Sequence, residues 1–292
     1  MRLPGPWGEA QTARGQYIRC ADTTSIRAGL PVFSEADRKV ARSCRRAGRV
    51  LAFLPMQLER ILHNNGFGTR RACRTLIRQG RVAIGGAVRD DPAAEIATEG
   101  LVFTVDGVDW LHAEFATVVL NKPAGYECSR QPQHHRSVLE LLPLPLRERG
   151  VQPVGRLDED TTGLLLLTDD GQLNHALASG KRKVAKVYLV TTKHPLDEQQ
   201  IERLLTGVVL HDDPEPVVAA ACEQLGERRL RLTVSEGKYH QVKRMLAAVG
   251  NRVEALHREA VGGFVLPPEL APGEWRWLSA AELRQLGHCG KR

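Results

Sequence analysis

The sequence predicts an α+β fold in two unequal modules, and three observations carry that expectation. At 292 residues the chain has length for two domains. Strand-like apolar runs outnumber helical patterns and do not alternate with them strictly, which favours a mixed, largely antiparallel sheet over a doubly wound one. A short helix pair followed by a Gly-Gly hairpin precedes those runs and reads as a separate small module. The longest uninterrupted apolar run is Val217 to Cys222, too short to cross a bilayer. The N-terminal residues lack the apolar core of a secretory signal, and the six cysteines are scattered with no CxxC pair. Reduced thiols in a cytoplasm are expected, without a disulfide frame or a zinc ribbon.

The net charge of +7 is unevenly placed. Residues 1–55 carry ten Lys and Arg against four Asp and Glu, so only +1 remains for the rest of the chain. This segment is Pro/Gly-rich at first and Arg-dense later, with no periodic apolar face. It is expected to be a disordered or non-native extension, the competing readings being a basic RNA-binding arm, a targeting peptide, or residues ahead of a true start at Met56.

Within 56–112, Leu58, Ile61 and Leu62 recur at helical spacing, Asn64 to Gly68 break the pattern, and Thr69 is placed to cap a second helix running to about Gln79. On that helix Ala72, Cys73, Leu76 and Ile77 form the expected buried stripe, while Arg70, Arg71, Arg74 and Arg78 project on the other side. Arg81 then opens a hairpin turning at Gly85-Gly86. Six arginines and one acid, Glu59, lie between Met56 and Arg81. A solvated helix face usually mixes both signs in i,i+4 pairs; a face of one sign suits phosphate oxygens.

The larger module is expected over 116–286, with a tail at 287–292. A strand over Val118 to Lys122 ends in a Pro-Gly turn. Strands are then expected at Pro153 to Leu157, Leu164 to Thr168, Lys186 to Thr192, Val217 to Cys222, Arg229 to Val234, Asn251 to His257 and Gly262 to Leu266. Helices are expected at Gln172 to Ala178, Asp197 to Thr206, His240 to Val249 and Ala280 to Gln285. The segment Gly155 to Gly171 sets Arg156 and Asp158 at a strand end beside a turn, where a sheet fixes a carboxylate and a loop leaves it reachable. Asp169 and Asp170 read as caps for the helix that follows. A metal site is disfavoured, because no His or Cys stands at ligand spacing and Asp158 and Asp160 alternate faces if extended.

Two resemblances sharpen this reading. Gly66, Thr69-Arg70-Arg71, Leu76-Ile77, Gly80-Arg81-Val82 and Gly85-Gly86 resemble the S4 RNA-binding domain. Gly155-Arg156-Leu157-Asp158 with Asp160-Thr161-Thr162-Gly163-Leu164 resembles the signature of the pseudouridine synthases, in the RsuA-type branch that acts on 16S ribosomal RNA. Asn121-Lys122-Pro123, Lys186 to Val190, Ser235 to Met245, and Leu256 to Glu259 with Gly262-Gly263 follow in the same order. The similarity runs from about Met56 to Leu286.

The resemblance implies an isomerase that breaks the N1–C1′ bond of uridine, turns the base and rejoins it through C5, with no cofactor and no metal. The family's essential aspartate falls on Asp158, as nucleophile or as base at the sugar. The basic partner falls on Lys243; Arg244 lies about 100° further round the same helix and should not share its pocket. Many relatives carry arginine there, and lysine keeps the charge without the bidentate fork. The active-site tyrosine falls on Tyr188, and Arg156 matches the position suited to filling the gap left by a flipped base. Gly163 and Gly237 read as turns, and His240 as an RNA-side or structural residue. Arg70, Arg71, Arg74, Arg78, Arg81, Arg156 and Arg244 are the expected RNA contacts. The expected partner is 16S rRNA or a small-subunit assembly intermediate, bound by a monomer. The competing functions are a large-subunit (23S) synthase, a catalytically dead RNA-binding assembly factor, and a metal-dependent nuclease built on Asp158, Glu159 and Asp160.

Overall fold

The computed structural model describes residues 55–178, 182–211 and 213–286. The basic extension expected at 1–55, apart from Pro55, and the tail at 287–292 lie outside the described residues.

The small module begins with helix α1 (Leu58–Asn64), which buries Leu58, Ile61 and Leu62. A tight turn leads to α2 (Arg70–Arg78), whose N-terminus is capped by Thr69 accepting the Ala72 N–H. The buried stripe of α2 is narrower than predicted: Cys73 and Ile77 are buried, Leu76 is half-buried and Ala72 faces water. A short helix packed against one partner touches it along a single line, so two residues suffice. Strands β1 (Val82–Ile84) and β2 (Ala87–Val88) form the predicted hairpin. Gly85 and Gly86 hold φ of 60° and 81°, the two left-handed positions a type I′ turn demands. β3 (Val102–Val105) and β4 (Val108–Leu111) complete an antiparallel sheet in the order β2-β1-β3-β4. Phe67 meets the rings of Phe103 and Trp110 edge-on, at centroid distances of 5.8 and 5.0 Å.

The arginine row is not of one sign. Glu59 reaches across from α1 and pairs with Arg74 through both carboxylate oxygens. Asp106, in the β3–β4 turn, takes Arg81 in a bidentate fork at 2.6 Å on each arm. The sequence reading looked for acids on the same helix, whereas tertiary folding supplies them from other elements. Arg70, Arg71 and Arg78 remain exposed.

The large module is built on β5 (Thr117–Lys122), α3 (Leu144–Glu148), β6 (Thr162–Thr168), α4 (Gly171–Ala178), β7 (Lys186–Thr192), α5 (Glu198–Thr206), β8 (Ala221–Gly226), β9 (Arg229–Val234), α6 (Gln241–Ala248), β10 (Val253–Val261), β11 (Trp275–Trp277) and α7 (Ala280–Gln285). The central sheet runs β8-β9-β7-β10-β6-β5-β11, and only β6 and β10 are parallel along that path. Leu164 and Leu166 of β6 pack into one apolar cluster and Leu165 and Leu167 into another, so the unbroken leucine run reflects a strand covered on both faces. Two strand expectations fail. The segment Val217 to Cys222 spans the end of a strand at Asp213–Val217, a break, and the start of β8. The strand expected at Pro153 to Leu157 is only Gln152–Pro153, and residues 154–161 form a loop.

The two modules meet at a buried guanidinium. Arg149, just past α3, donates to Asp169 at 2.8 Å, to Asn65 of the small module at 2.9 Å, and to the carbonyls of Ala113 and Glu114. Asp169 also accepts the Ala116 N–H, so it ties the module junction rather than capping α4; Asp170 alone caps that helix, accepting from Gln172 and Leu173. Asn65 also donates to the Ile61 carbonyl and lies 2.8 Å from His112, whose pKa burial and then Arg149 hold below its ordinary value. Gly66 sits so close to the Pro145 carbonyl that an added Cβ would lie 2.0 Å from its oxygen, and its φ is +82°. Arg149→Met strips one member from a buried ion pair and leaves Asp169 and two carbonyls unsatisfied, a change that costs about 3–5 kcal/mol. Urea denaturation should show that loss, and limited proteolysis should cut the variant faster between residues 112 and 116.

Candidate active site

Asp158 stands in the loop between Gln152–Pro153 and β6, not at a strand end as expected. The loop is held from beneath by Lys122, the last residue of β5. Its side chain is wholly buried, and its ammonium donates to the carbonyls of Asp158 (3.0 Å), Glu159 (3.1 Å), Thr161 (2.8 Å) and its neighbour Pro123 (3.1 Å). Burial lowers the Lys122 pKa, and the carboxylates of Asp160, Glu159 and Asp158 act against that. Thr161 N–H closes the turn onto the Asp158 carbonyl, and Gly125 N–H donates to Glu159. Leu157 N–H lies 3.5 Å from the buried Cys128 sulfur.

Gly163 follows the loop because β10 passes against it. A Cβ there would lie 2.4 Å from the Arg258 oxygen, and its φ is +100°. This contact starts the short parallel pairing of β6 with β10, which spans only Thr162 with His257 and Gly163 with Arg258. Beyond it the two strands part, and the guanidinium of Arg258 bridges the split by donating to the Leu164 carbonyl at 2.8 Å.

Helix α6 supplies the cation. Val242, Met245, Leu246 and, just past its end, Val249 are buried as predicted, which turns Lys243 toward the loop. The Lys243 ammonium lies 3.0 Å from Asp158 Oδ2 and 2.7 and 2.9 Å from the two oxygens of Asp160. Burial pulls its pKa down, but the hydrogen bonds from Asp160 and Asp158 outweigh that and leave it raised. Asp160 is correspondingly lowered: burial raises it, and Lys243 more than reverses the effect. The two carboxylates, expected on alternate faces, share one ammonium because the segment is a loop and not an extended strand. Arg244 points elsewhere, donating to the Tyr239 carbonyl at 3.0 Å.

His240 is a residue that sequence reasoning set aside. Its Nε2 lies 3.2 Å from Asp158 Oδ1, so Asp158 is flanked by Lys243 on one oxygen and His240 on the other. The residue takes φ +47° immediately before α6, and the exposed Tyr239 ring stacks on it at 3.8 Å. The signals in the sequence were its place in the motif Ser235 to Met245 and adjacency: His240 precedes by three residues the lysine chosen as partner.

These groups line a cavity of about 790 Å³ with Tyr188 in its wall and Arg156 exposed at its edge. Tyr188 is 8% exposed and lies opposite Arg258 across β7 and β10. The loop 128–135 borders the same cavity, folded around Glu127, whose carboxylate accepts the N–H groups of Gln133, His134 and His135. Those three bonds lower the Glu127 pKa to about 2.

The sequence profile of the RNA pseudouridylate synthase family matches residues 116–248, and that of the S4 domain matches residues 56–101. A ribosomal small subunit pseudouridine synthase A of Haemophilus influenzae is 38% identical over 232 residues, covering 79% of this chain and 99% of that protein. The chain belongs to the RNA pseudouridylate synthase family. The Escherichia coli protein of the same name is 47% identical over 165 residues, covering 56% of this chain and 71% of its own. A crystal structure of a pseudouridylate synthase superposes with a TM-score of 0.57 at 37% identity, covering 79% of this chain and 99% of that one. Family membership and the S4 domain make RNA the partner of this chain, and among the described residues no helix is long and apolar enough to cross a membrane.

Lys122→Met removes the ammonium from the loop carbonyls; those of Asp158 and Glu159 keep the N–H groups of Thr161 and Gly125, and each carbonyl left unmet costs about 1–3 kcal/mol. The variant should lose thermal stability and, because Asp158 is no longer held, lose turnover more than a hundredfold while RNA binding through the S4 domain persists; calorimetry, single-turnover assays and filter binding check the three.

Proposed function

We propose that this protein converts a uridine of 16S ribosomal RNA to pseudouridine during small-subunit maturation, acting as a cytoplasmic monomer with Asp158 as the essential group. The supporting observation is the constellation at Asp158: a carboxylate on a loop pinned from below, with one oxygen against Lys243, the other against His240, and an open cavity in front. The small-subunit assignment draws on the names carried by the Haemophilus and Escherichia relatives.

In this reading a uridine leaves its stack and enters the cavity, and Arg156 at the edge fills the gap it leaves. Asp158 acts at the sugar as the N1–C1′ bond breaks. Lys243 keeps that carboxylate oriented at the reacting carbon, and Asp160 completes the coordination of the lysine. The base turns in its own plane against Tyr188, C5 bonds to C1′, and the C5 proton departs as N1 takes one up, with the tyrosine hydroxyl the group that would move it. Uridine and product are isomers, so the chemistry requires no redox partner and no group donor.

The S4 module supplies affinity. Arg70, Arg71 and Arg78 face water with no carboxylate partner among the described residues and are assigned to phosphates, whereas Arg74 and Arg81, paired with Glu59 and Asp106, hold the module together.

Asp158→Asn should abolish turnover and leave RNA binding within about threefold. Carbodiimide mapping of ribosomal RNA from a gene-deletion strain should show one small-subunit pseudouridine missing, restored by wild type and not by Asp158→Asn. A missing large-subunit site would instead assign the chain to 23S rRNA, and turnover by Asp158→Asn would remove the catalytic assignment. Replacing Arg70, Arg71 and Arg78 by glutamine should weaken binding and reduce the dependence of log K on log salt by about 2–3, since each lost phosphate contact removes close to one unit of slope. Arg81→Gln should lower thermal stability and leave that slope nearly unchanged.

A further inference from the structure

Two cations in the cavity have no carboxylate. Arg258 is 3% exposed and spends its Nε–H on the Leu164 carbonyl. Lys186, two residues before Tyr188 on β7, donates to the Val184 carbonyl at 3.1 Å. Both line the cavity that contains Asp158 and Tyr188. Among the described residues neither forms an ion pair; the nearest acid in sequence, Glu259, is taken by Arg231 at 2.9 Å on the far side of β10. Burial first, and the like charge of Arg258 second, depress the Lys186 pKa.

Among the described residues Arg149 meets Asp169, Lys243 meets Asp158 and Asp160, and Arg276 meets Glu282, while the buried Lys122 is met by four carbonyl oxygens. Two like charges set together in a low-dielectric cleft without a counterion cost stability, and such arrangements are retained where an anion is to be received. Their depth says which anion. The side chains of Asp158, Lys243 and His240 are 23–35% exposed, toward the cavity mouth, whereas Tyr188 and Arg258 lie deeper. A nucleotide whose sugar reaches Asp158 and whose base runs inward along Tyr188 directs the carbonyl edge of the base at the split between β6 and β10, where Arg258 and Lys186 stand.

We propose that Lys186 and Arg258 form a cationic floor that stabilises the uracil as a leaving anion, making both of them catalytic residues. This rests on the pseudouridine synthase reading above. When N1–C1′ breaks, the bonding pair stays with the base as uracilate, its charge spread from N1 onto O2 and O4. The two cations face those oxygens until C5 delivers an electron pair back to C1′, which consumes the charge; the C5 proton then leaves and N1, freed from the sugar, takes one up, so the base ends neutral and no co-reactant enters. The floor is a fixed electrostatic acceptor for charge that exists only between the first bond breaking and the second bond forming.

The test compares full-length wild type, Lys186→Met and Lys186→Arg on a 16S rRNA transcript under single-turnover conditions. A second transcript carries 5-fluorouridine in place of uridine, scored by nuclease digestion and chromatography for the C5-linked nucleoside. Fluorine withdraws electron density, so the base bears more of the charge unaided. On uridine, Lys186→Met should slow about a hundredfold, the scale for losing one preorganised charge-stabilising group, with RNA affinity within about threefold and with thermal stability equal to or above wild type. On 5-fluorouridine the same variant should slow several-fold less, and Lys186→Arg should recover most of the rate. Equal slowing on both transcripts, or a rate loss matched by lower stability, overturns the floor and makes Lys186 a structural residue. Absence of pseudouridine from wild type overturns the functional reading itself. Arg258→Lys, which keeps the charge and gives up the bond to Leu164, should retain more activity than Arg258→Met; equal loss in both assigns Arg258 to strand bridging alone.

Discussion

A single ammonium, buried under the Asp158 loop, sets the geometry on which the rest of the site depends. Lys122 leaves the sheet at the end of β5 and gathers carbonyls from Asp158, Glu159 and Thr161. Held this way, the loop buries Thr161 and turns Asp158 and Asp160 toward α6, where one lysine serves both. Removing the charge from water is costly, and four hydrogen bonds to carbonyl oxygens are the compensation that keeps it there.

Gly163 carries the second constraint. Its missing side chain lets β10 approach the end of the loop, and the same close contact limits β6 and β10 to two paired residues each before they separate. The cavity opens into that separation, so the backbone feature that brings the strands together at Gly163 also creates the space beside them. Arg258 keeps the split from closing by taking the Leu164 carbonyl that a continuous ladder would have used.

Charge in this protein divides by partner. Arg74, Arg81 and Arg149 are spent on carboxylates and hold elements or modules together. Among the described residues Arg70, Arg71 and Arg78 have no such partners and face water, on a helix whose module is anchored to the catalytic one through Asn65 and Arg149. That anchor is a buried hydrogen-bonded network and not a bare linker.

Local pattern determined much of this protein. The helices of the small module, α4 to α7 of the large one, the Gly-Gly hairpin, the buried stripe of α6 and the divergence of Lys243 from Arg244 follow from 3.6- and 2-residue periods and from turn chemistry, which act over a few neighbours; α3 was not foreseen. The ordered motifs carried the family and Asp158. Tertiary structure decided what depends on distant partners. Glu59 and Asp106 pair with Arg74 and Arg81 from 15 and 25 residues away. His240 came to Asp158 across 82 positions of chain, placed by a left-handed residue that no periodicity announces. Lys122 read as part of a strand motif, and its role became visible only when three carbonyls from about 37 residues further on closed over it. Periodicity reports which way a side chain points; which group it meets there depends on how separate elements pack, and that information is not local.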